Sequence, residues 1–167
     1  MSAVGLAIKP VVNAAVHLVS VPLMIPGGSL AGGLYMMWIV LAYAVTGKFG
    51  TASMVGLVQA IMVLITGMPG SHGILSLLSY VAPGVMTDLL LFIMIGLCKR
   101  EYDRLASFFA GMCANLTGTL IVNMIFFRLP LPFLALTSVI AALSGGIGGL
   151  IAWELYRVMR RYKLTGR

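Results

Sequence analysis

The sequence predicts an all-α, polytopic membrane protein, a single integral-membrane domain over residues 1–167 that forms one bundle of six transmembrane helices. Hydrophobic residues make up 60% of the chain and charged residues only 9%, whereas a soluble domain has about 25% charged residues. Several apolar runs are longer than the roughly 18 residues that indicate a membrane span. The gaps between these runs are too short to contain a soluble domain.

Six segments have the length and composition of spans, and turns rich in glycine and proline separate them. Residues 24–33 contain four glycines and a proline, so we expect a loop there rather than the start of the second span. Pro83 and Gly84 are expected to interrupt the fourth span, because proline removes a backbone donor. The predicted spans are residues 4–23, 34–46, 51–66, 74–98, 105–127 and 133–156.

The positions of the basic residues predict the topology. The chain has 11 Lys and Arg residues and a net charge of +7. If both termini are cytoplasmic, only Arg128 lies on the outer side, and the other basic residues lie inside, as cytoplasmic loops require. The positive charge therefore indicates membrane topology and not a nucleic-acid partner. The inner cluster at residues 99–104 has mixed signs, and it suits either a solvated surface or a partner contact.

One acidic residue, Asp88, stands within the apolar run of the fourth span. Asp88 lies about 10 residues, or roughly 15 Å, before Cys98, which places it near the middle of a hydrocarbon core about 30 Å thick. A charge at that depth costs at least about 2.5–3.5 kcal/mol and usually faces a cavity or the bundle interior. Asp88 is therefore the leading candidate for a ligand contact.

Two polar stripes at helical spacing accompany this acid. Tyr80, Gly84 and Asp88 share one face of the fourth span, and Asn115 and Asn123, with a threonine between them, share one face of the fifth. We expect the stripes to face each other across a cavity open to the outer side. The aromatic residues of the second span would stack on a flat ligand there. The full candidate set is Tyr35, Trp38, Gln59, His72, Tyr80, Gly84, Asp88, Asn115 and Asn123.

Each candidate also has a structural interpretation. Trp and Tyr near span ends are common interfacial anchors, which applies to Tyr35 and Trp38. A glutamine such as Gln59 often ties helices together by a hydrogen bond, and His72 could be a simple loop residue.

Small residues four apart allow close approach between helices. They occur as Ala3 and Ala7 in the first span and as Gly145 and Gly149 in the sixth. Either pair could form an intramolecular contact, and both are candidate docking positions for a partner subunit.

The motifs of common enzymes are missing. The sequence contains no P-loop, no HExxH and no GxSxG motif, so we expect a protein that is not an enzyme and that relies on other subunits for ATP hydrolysis. Cys98 and Cys113 lack the spacing of metal ligands. We therefore predict neither a bound metal nor a cofactor.

Two stretches resemble a known family. Residues 34–70, LYMMWIVLAYAVTGKFGTASMVGLVQAIMVLITGMPG, and residues 83–88, PGVMTD, look like the substrate-binding membrane subunits (S-components) of energy-coupling factor (ECF) vitamin transporters. The branch of thiamin/hydroxymethylpyrimidine permeases is the most similar. Tyr35, Trp38, Gly67 and Pro69 look like the family's pattern, and so does an acid after the glycine of span four.

This resemblance implies a vitamin-binding subunit in the plasma (inner) membrane of a prokaryote, with the ligand held near the outer face. The implied partners are a coupling membrane subunit, two cytoplasmic ATPases and a vitamin-like small molecule. Gly56, Val63 and Asn123 stand where the thiamin branch looks acidic, so a neutral pyrimidine or another vitamin is an equal possibility. A stand-alone transporter or channel that uses Asp88, and a structural subunit of a membrane complex, remain alternatives.

Overall fold

The computed structural model describes residues 4, 5, 7, 8, 12, 27–67, 75–97, 99, 101–128 and 130–162. All regular structure in this part of the chain is helical, which confirms the all-α prediction. The few described residues of the first predicted span are helical, and Ala3 and His72 lie outside the described residues.

Five α-helices follow one another from residue 27: α1 (Gly27–Thr46), α2 (Thr51–Thr66), α3 (Leu75–Leu91), α4 (Arg104–Val122) and α5 (Leu131–Arg161). Two of them continue as π-helices, which extend α3 over Phe92–Leu97 and α4 over Asn123–Phe127. Four of the five are long and apolar enough to cross a membrane, whereas α2 is a shorter apolar helix of 16 residues. The described part of the chain therefore contains four helices of spanning length, not six.

The predicted loop at residues 24–33 is wrong from Gly27 onward, because α1 begins there. Glycine inside a helix costs about 1 kcal/mol relative to alanine, but here it allows close packing. A Cβ atom on Gly32 would lie 1.8 Å from Oδ1 of Asn115, and one on Gly33 would lie 2.0 Å from the carbonyl oxygen of Ser144. The glycines that suggested a loop are the residues that let α1 pack directly on α4 and α5.

The predicted interruption at Pro83 is also wrong, since α3 runs through it as an α-helix. The hydroxyl of Thr87 donates a hydrogen bond of 2.7 Å to the carbonyl of Pro83 one turn earlier. The proline ring packs beside Gly118 of α4, where a Cβ would lie 3.4 Å from its Cγ. The turn at residues 47–50 and the bounds of α2 are as predicted, with Gly50 at φ 88° immediately before the helix.

The helix α1 occupies the centre of the bundle. Two thirds of its apolar window is buried, more than in any other spanning-length helix of the described residues, and it contacts all four of its neighbours. The other helices pack as neighbouring pairs: α2 on α3, α3 on α4, and α4 on α5. Their outward faces are apolar, as on α5, where Val139, Leu143 and Ile147 are more than half exposed at four-residue spacing.

Gly145 and Gly149 lie inside this bundle, so the structure corrects their assignment as docking positions. A Cβ atom on Gly145 would lie 2.3 Å from the carbonyl oxygen of Gly111, and one on Gly149 would lie 2.1 Å from that of Ser107. Both glycines are buried and bring α4 and α5 into backbone contact. Of the other predicted pair, Ala7 is exposed.

Candidate functional site

The carboxylate of Asp88 is fully buried and binds the first turn of α2. Its Oδ1 accepts a hydrogen bond of 3.2 Å from the backbone N–H of Ala52. Its Oδ2 accepts two more from Ser53, one of 2.8 Å from the backbone N–H and one of 2.6 Å from the hydroxyl. Three donors thus converge on one carboxylate.

Asp88 therefore acts as a helix cap contributed by a neighbouring helix. The first four N–H groups of a helix have no partner within it, and Gly50, which precedes α2, has no side chain that could cap it. Thr51 N–H reaches the carbonyl of Lys48, and the N–H of residue 54 reaches that of Gly50. Asp88 accepts hydrogen bonds from the two remaining N–H groups, those of Ala52 and Ser53. Its negative charge also interacts favourably with the positive end of the helix dipole.

Along its own helix, Asp88 lies near the middle of the candidate span Leu77–Leu97. Asp88 lies level with the beginning of α2, next to the turn at residues 47–50, and not halfway along that helix. One turn further along α3, Phe92 contacts Phe49 of this turn, with ring centroids 5.4 Å apart. Because α2 is short, α3 and its π-helical continuation extend well past it.

The two polar stripes do not face each other. The α3 stripe packs on α2: a Cβ atom on Gly84 would lie 2.6 Å from the carbonyl oxygen of Ala52, and the carbonyl of Tyr80 faces Gly56 in the same way. The predicted cavity between Asp88 and the two asparagines is therefore absent from the described part of the structure, since α3 turns its polar face to α2 instead of α4.

The α4 stripe forms separate contacts with α1 and α5. Nδ2 of Asn115 donates hydrogen bonds to the carbonyls of Ser29 at 3.3 Å and Ala141 at 2.8 Å, which links three helices. Nδ2 of Asn123 donates one of 3.1 Å to the Thr137 hydroxyl. Both asparagines are almost completely buried, so these hydrogen bonds account for their presence inside the bundle.

Two other candidates do come together. Trp38 of α1 and Gln59 of α2 converge around Gly5, where an added Cβ would lie 2.8 Å from Cδ1 of the indole and 2.9 Å from Nε2 of the amide. Gln59 is 4% exposed. The indole nitrogen Nε1 of Trp38 is buried and has no hydrogen-bond partner among the described residues. Tyr35, one turn before Trp38, and Tyr80 are half-buried.

Ser53, which supplies two of the three donors to Asp88, is not among the site residues predicted from the sequence. A signal was present, because the first turn of α2 has no acidic residue of its own and follows a glycine. A helix that begins this way needs an acceptor from elsewhere, and Asp88 in the neighbouring predicted span is an acid that can provide it.

The described residues contain no group of three or more His, Cys, Asp or Glu side chains that could hold a metal ion. The polar groups that come together in the bundle are the indole N–H of Trp38 and the amide of Gln59. Such groups suit an organic molecule with hydrogen-bond acceptors.

The fold and these buried polar contacts define a multi-pass helical membrane protein. A family model described as "ABC-type cobalt transport system, permease component" matches residues 1–117. The chain belongs to this family, and it is a membrane transport component. Neither the curated proteins nor the solved structures contain a match to it.

Proposed function

We propose that this chain is the substrate-binding membrane subunit of an ATP-driven importer of the ECF type. Two observations support the proposal: membership of a family of ABC-type permease components, and the resemblance of residues 34–70 and 83–88 to S-components. The complete subunit has six membrane helices with both termini in the cytoplasm of a prokaryote. A coupling membrane subunit and two ATPases supply the energy.

The buried indole N–H of Trp38 carries this proposal. A buried donor without a partner costs about 1–3 kcal/mol, and such groups in native structures call for an explanation such as a ligand. An acceptor atom of a bound substrate would satisfy this N–H. Gln59 beside it offers both an amide donor and an acceptor, and the indole face can stack on a flat ring.

These groups favour a vitamin-like heterocycle such as hydroxymethylpyrimidine or thiamin. A cobalt ion, which the family description names, would need imidazole, thiolate or carboxylate ligands, whereas Trp38 and Gln59 provide an N–H donor and a neutral amide. Asp88 is a poor candidate for a proton or cation site in a stand-alone transporter, because three protein donors already bind its carboxylate.

Tryptophan fluorescence provides the test. The chain has two tryptophans, so Trp153→Phe leaves Trp38 as the single reporter, in a background whose binding site is unaltered. We expect hydroxymethylpyrimidine or thiamin to change its emission in detergent-purified protein.

Calorimetry then compares Trp38→Phe and Gln59→Leu with Trp153→Phe as the control. Loss of one neutral hydrogen bond, worth about 0.5–1.5 kcal/mol, predicts affinity about two- to tenfold weaker. Equal affinity in Trp38→Phe and the control would show that the indole N–H does not contact substrate. Tight binding of a cobalt ion, with no binding of a heterocycle, would contradict the proposed substrate class.

A further inference from the structure

The last two turns of α5 extend beyond the hydrocarbon core. The helix has 31 residues and is about 46 Å long at about 1.5 Å per residue, whereas the core is about 30 Å thick. The segment from Leu131 to Ala152 is apolar and fills that thickness by itself. Trp153 follows, and the polar residues after it are therefore at the level of the lipid headgroups.

An open groove lies at this end of the helix. Its volume is about 490 Å³, and its walls include Trp153, Tyr156 and three arginines. Glu154 also lines the groove, and its carboxylate pairs with Arg157 at 3.1 Å. Three positive charges and one negative charge thus line the groove, which gives it an excess of positive charge.

The aromatic wall of the groove is held in place by its neighbours. The Tyr156 ring contacts Tyr102 at a centroid distance of 5.5 Å and Trp153 at 5.6 Å. The hydroxyl of Ser107 donates a 2.5 Å hydrogen bond to the Tyr102 hydroxyl. Tyr156 is 3% exposed, so this wall is a fixed part of the bundle. A fixed wall lowers the entropy cost of ordering a ligand beside it.

We propose that this groove binds the phosphate of an anionic phospholipid. The planar guanidinium group presents paired N–H donors that match phosphate oxygens, and Arg160 and Arg161 are exposed on the headgroup side. Trp153 lies where the acyl chains begin, as aromatic residues at membrane interfaces commonly do. The lipid binds at the C-terminal end of α5, between the helix and the bilayer, independently of any transported substrate.

Native mass spectrometry tests the proposal with the full chain in nanodiscs that contain equal amounts of phosphatidylglycerol and phosphatidylcholine. We expect the ejected protein to retain phosphatidylglycerol preferentially. In Arg160→Gln/Arg161→Gln this preference should fall by about fivefold for each arginine, as expected for a basic residue at an anionic surface. These side chains are exposed, so the fold does not depend on them.

The control variant Arg104→Gln/Arg128→Gln removes two exposed charges outside the groove. It should keep the preference for phosphatidylglycerol. An equal loss in both variants would show general charge attraction and overturn the site. So would an unchanged preference in the groove variant. Phosphatidylcholine nanodiscs with inorganic phosphate provide a further arm, in which binding of free phosphate with no lipid preference would also contradict a lipid site.

Discussion

Replacing Asp88 with asparagine tests the cap, because the change keeps the size of the side chain and removes one acceptor oxygen and the charge. In the native protein Oδ1 accepts a hydrogen bond from the N–H of Ala52, and Oδ2 accepts one from the backbone N–H and one from the hydroxyl of Ser53. An asparagine can orient its oxygen toward one of these residues only. Its NH₂ group then faces a backbone N–H, and that buried donor loses its partner.

The expected loss of stability follows from these contacts. An unsatisfied buried N–H costs about 1–3 kcal/mol, and loss of a negative charge at a helix N-terminus costs about 0.3–2 kcal/mol. Together they predict a loss of about 1.3–5 kcal/mol, or a melting temperature lower by roughly 3–20 °C. The assay is thermal unfolding of the purified protein in detergent, followed by intrinsic fluorescence.

Asp103→Asn is the matched control. Asp103 also caps a helix: its Oδ1 accepts a hydrogen bond of 2.7 Å from the N–H of Ala106, at a half-buried site. Asparagine caps as well as aspartate at such positions, so the change should cost less than about 1 kcal/mol. If Asp88→Asn melts at the native temperature while substrate affinity falls more than tenfold, Asp88 is a ligand contact and the capping argument is wrong.

Three further predictions concern packing, topology and coupling. Gly145→Ala should destabilise the bundle by about 1–3 kcal/mol, because its Cβ would meet the Gly111 carbonyl. Gly96→Ala should be tolerated, since its nearest contact would be a side-chain atom at 3.4 Å. Equal melting temperatures for Gly145→Ala and Gly96→Ala would contradict this packing argument. Cysteines at Ser71 and Thr165 should be labelled from opposite sides of the membrane, and labelling of both from outside would overturn the topology. In liposomes the chain alone should bind substrate without accumulating it, and uphill accumulation without ATPases would rule out the subunit proposal.

Much of the helical framework could be predicted from local sequence. The apolar composition identified a multi-pass membrane protein, and the glycines at 47 and 50 marked the turn before α2, where φ is positive. Hydropathy and turn chemistry depend on neighbouring residues, so a single sequence contains them. The same signals failed at residues 27–33 and at Pro83, because glycine and proline mark loops only when tertiary contacts do not offset their cost in a helix.

The amino-acid sequence by itself determined which residues are apolar, which acid lies within a span, and which polar residues share a helix face. Only the tertiary structure decided what those faces meet. Asp88 is 36 residues from Ala52 along the chain, and the rotation of α3 that brings them together depends on the close contacts of Gly56 and Gly84. Helical periodicity indicates which residues share one face of a helix, but it contains no information on which neighbouring helix that face meets. Backbone contact at small residues supplies that direction here, and it turns an apparent ligand site into a helix cap.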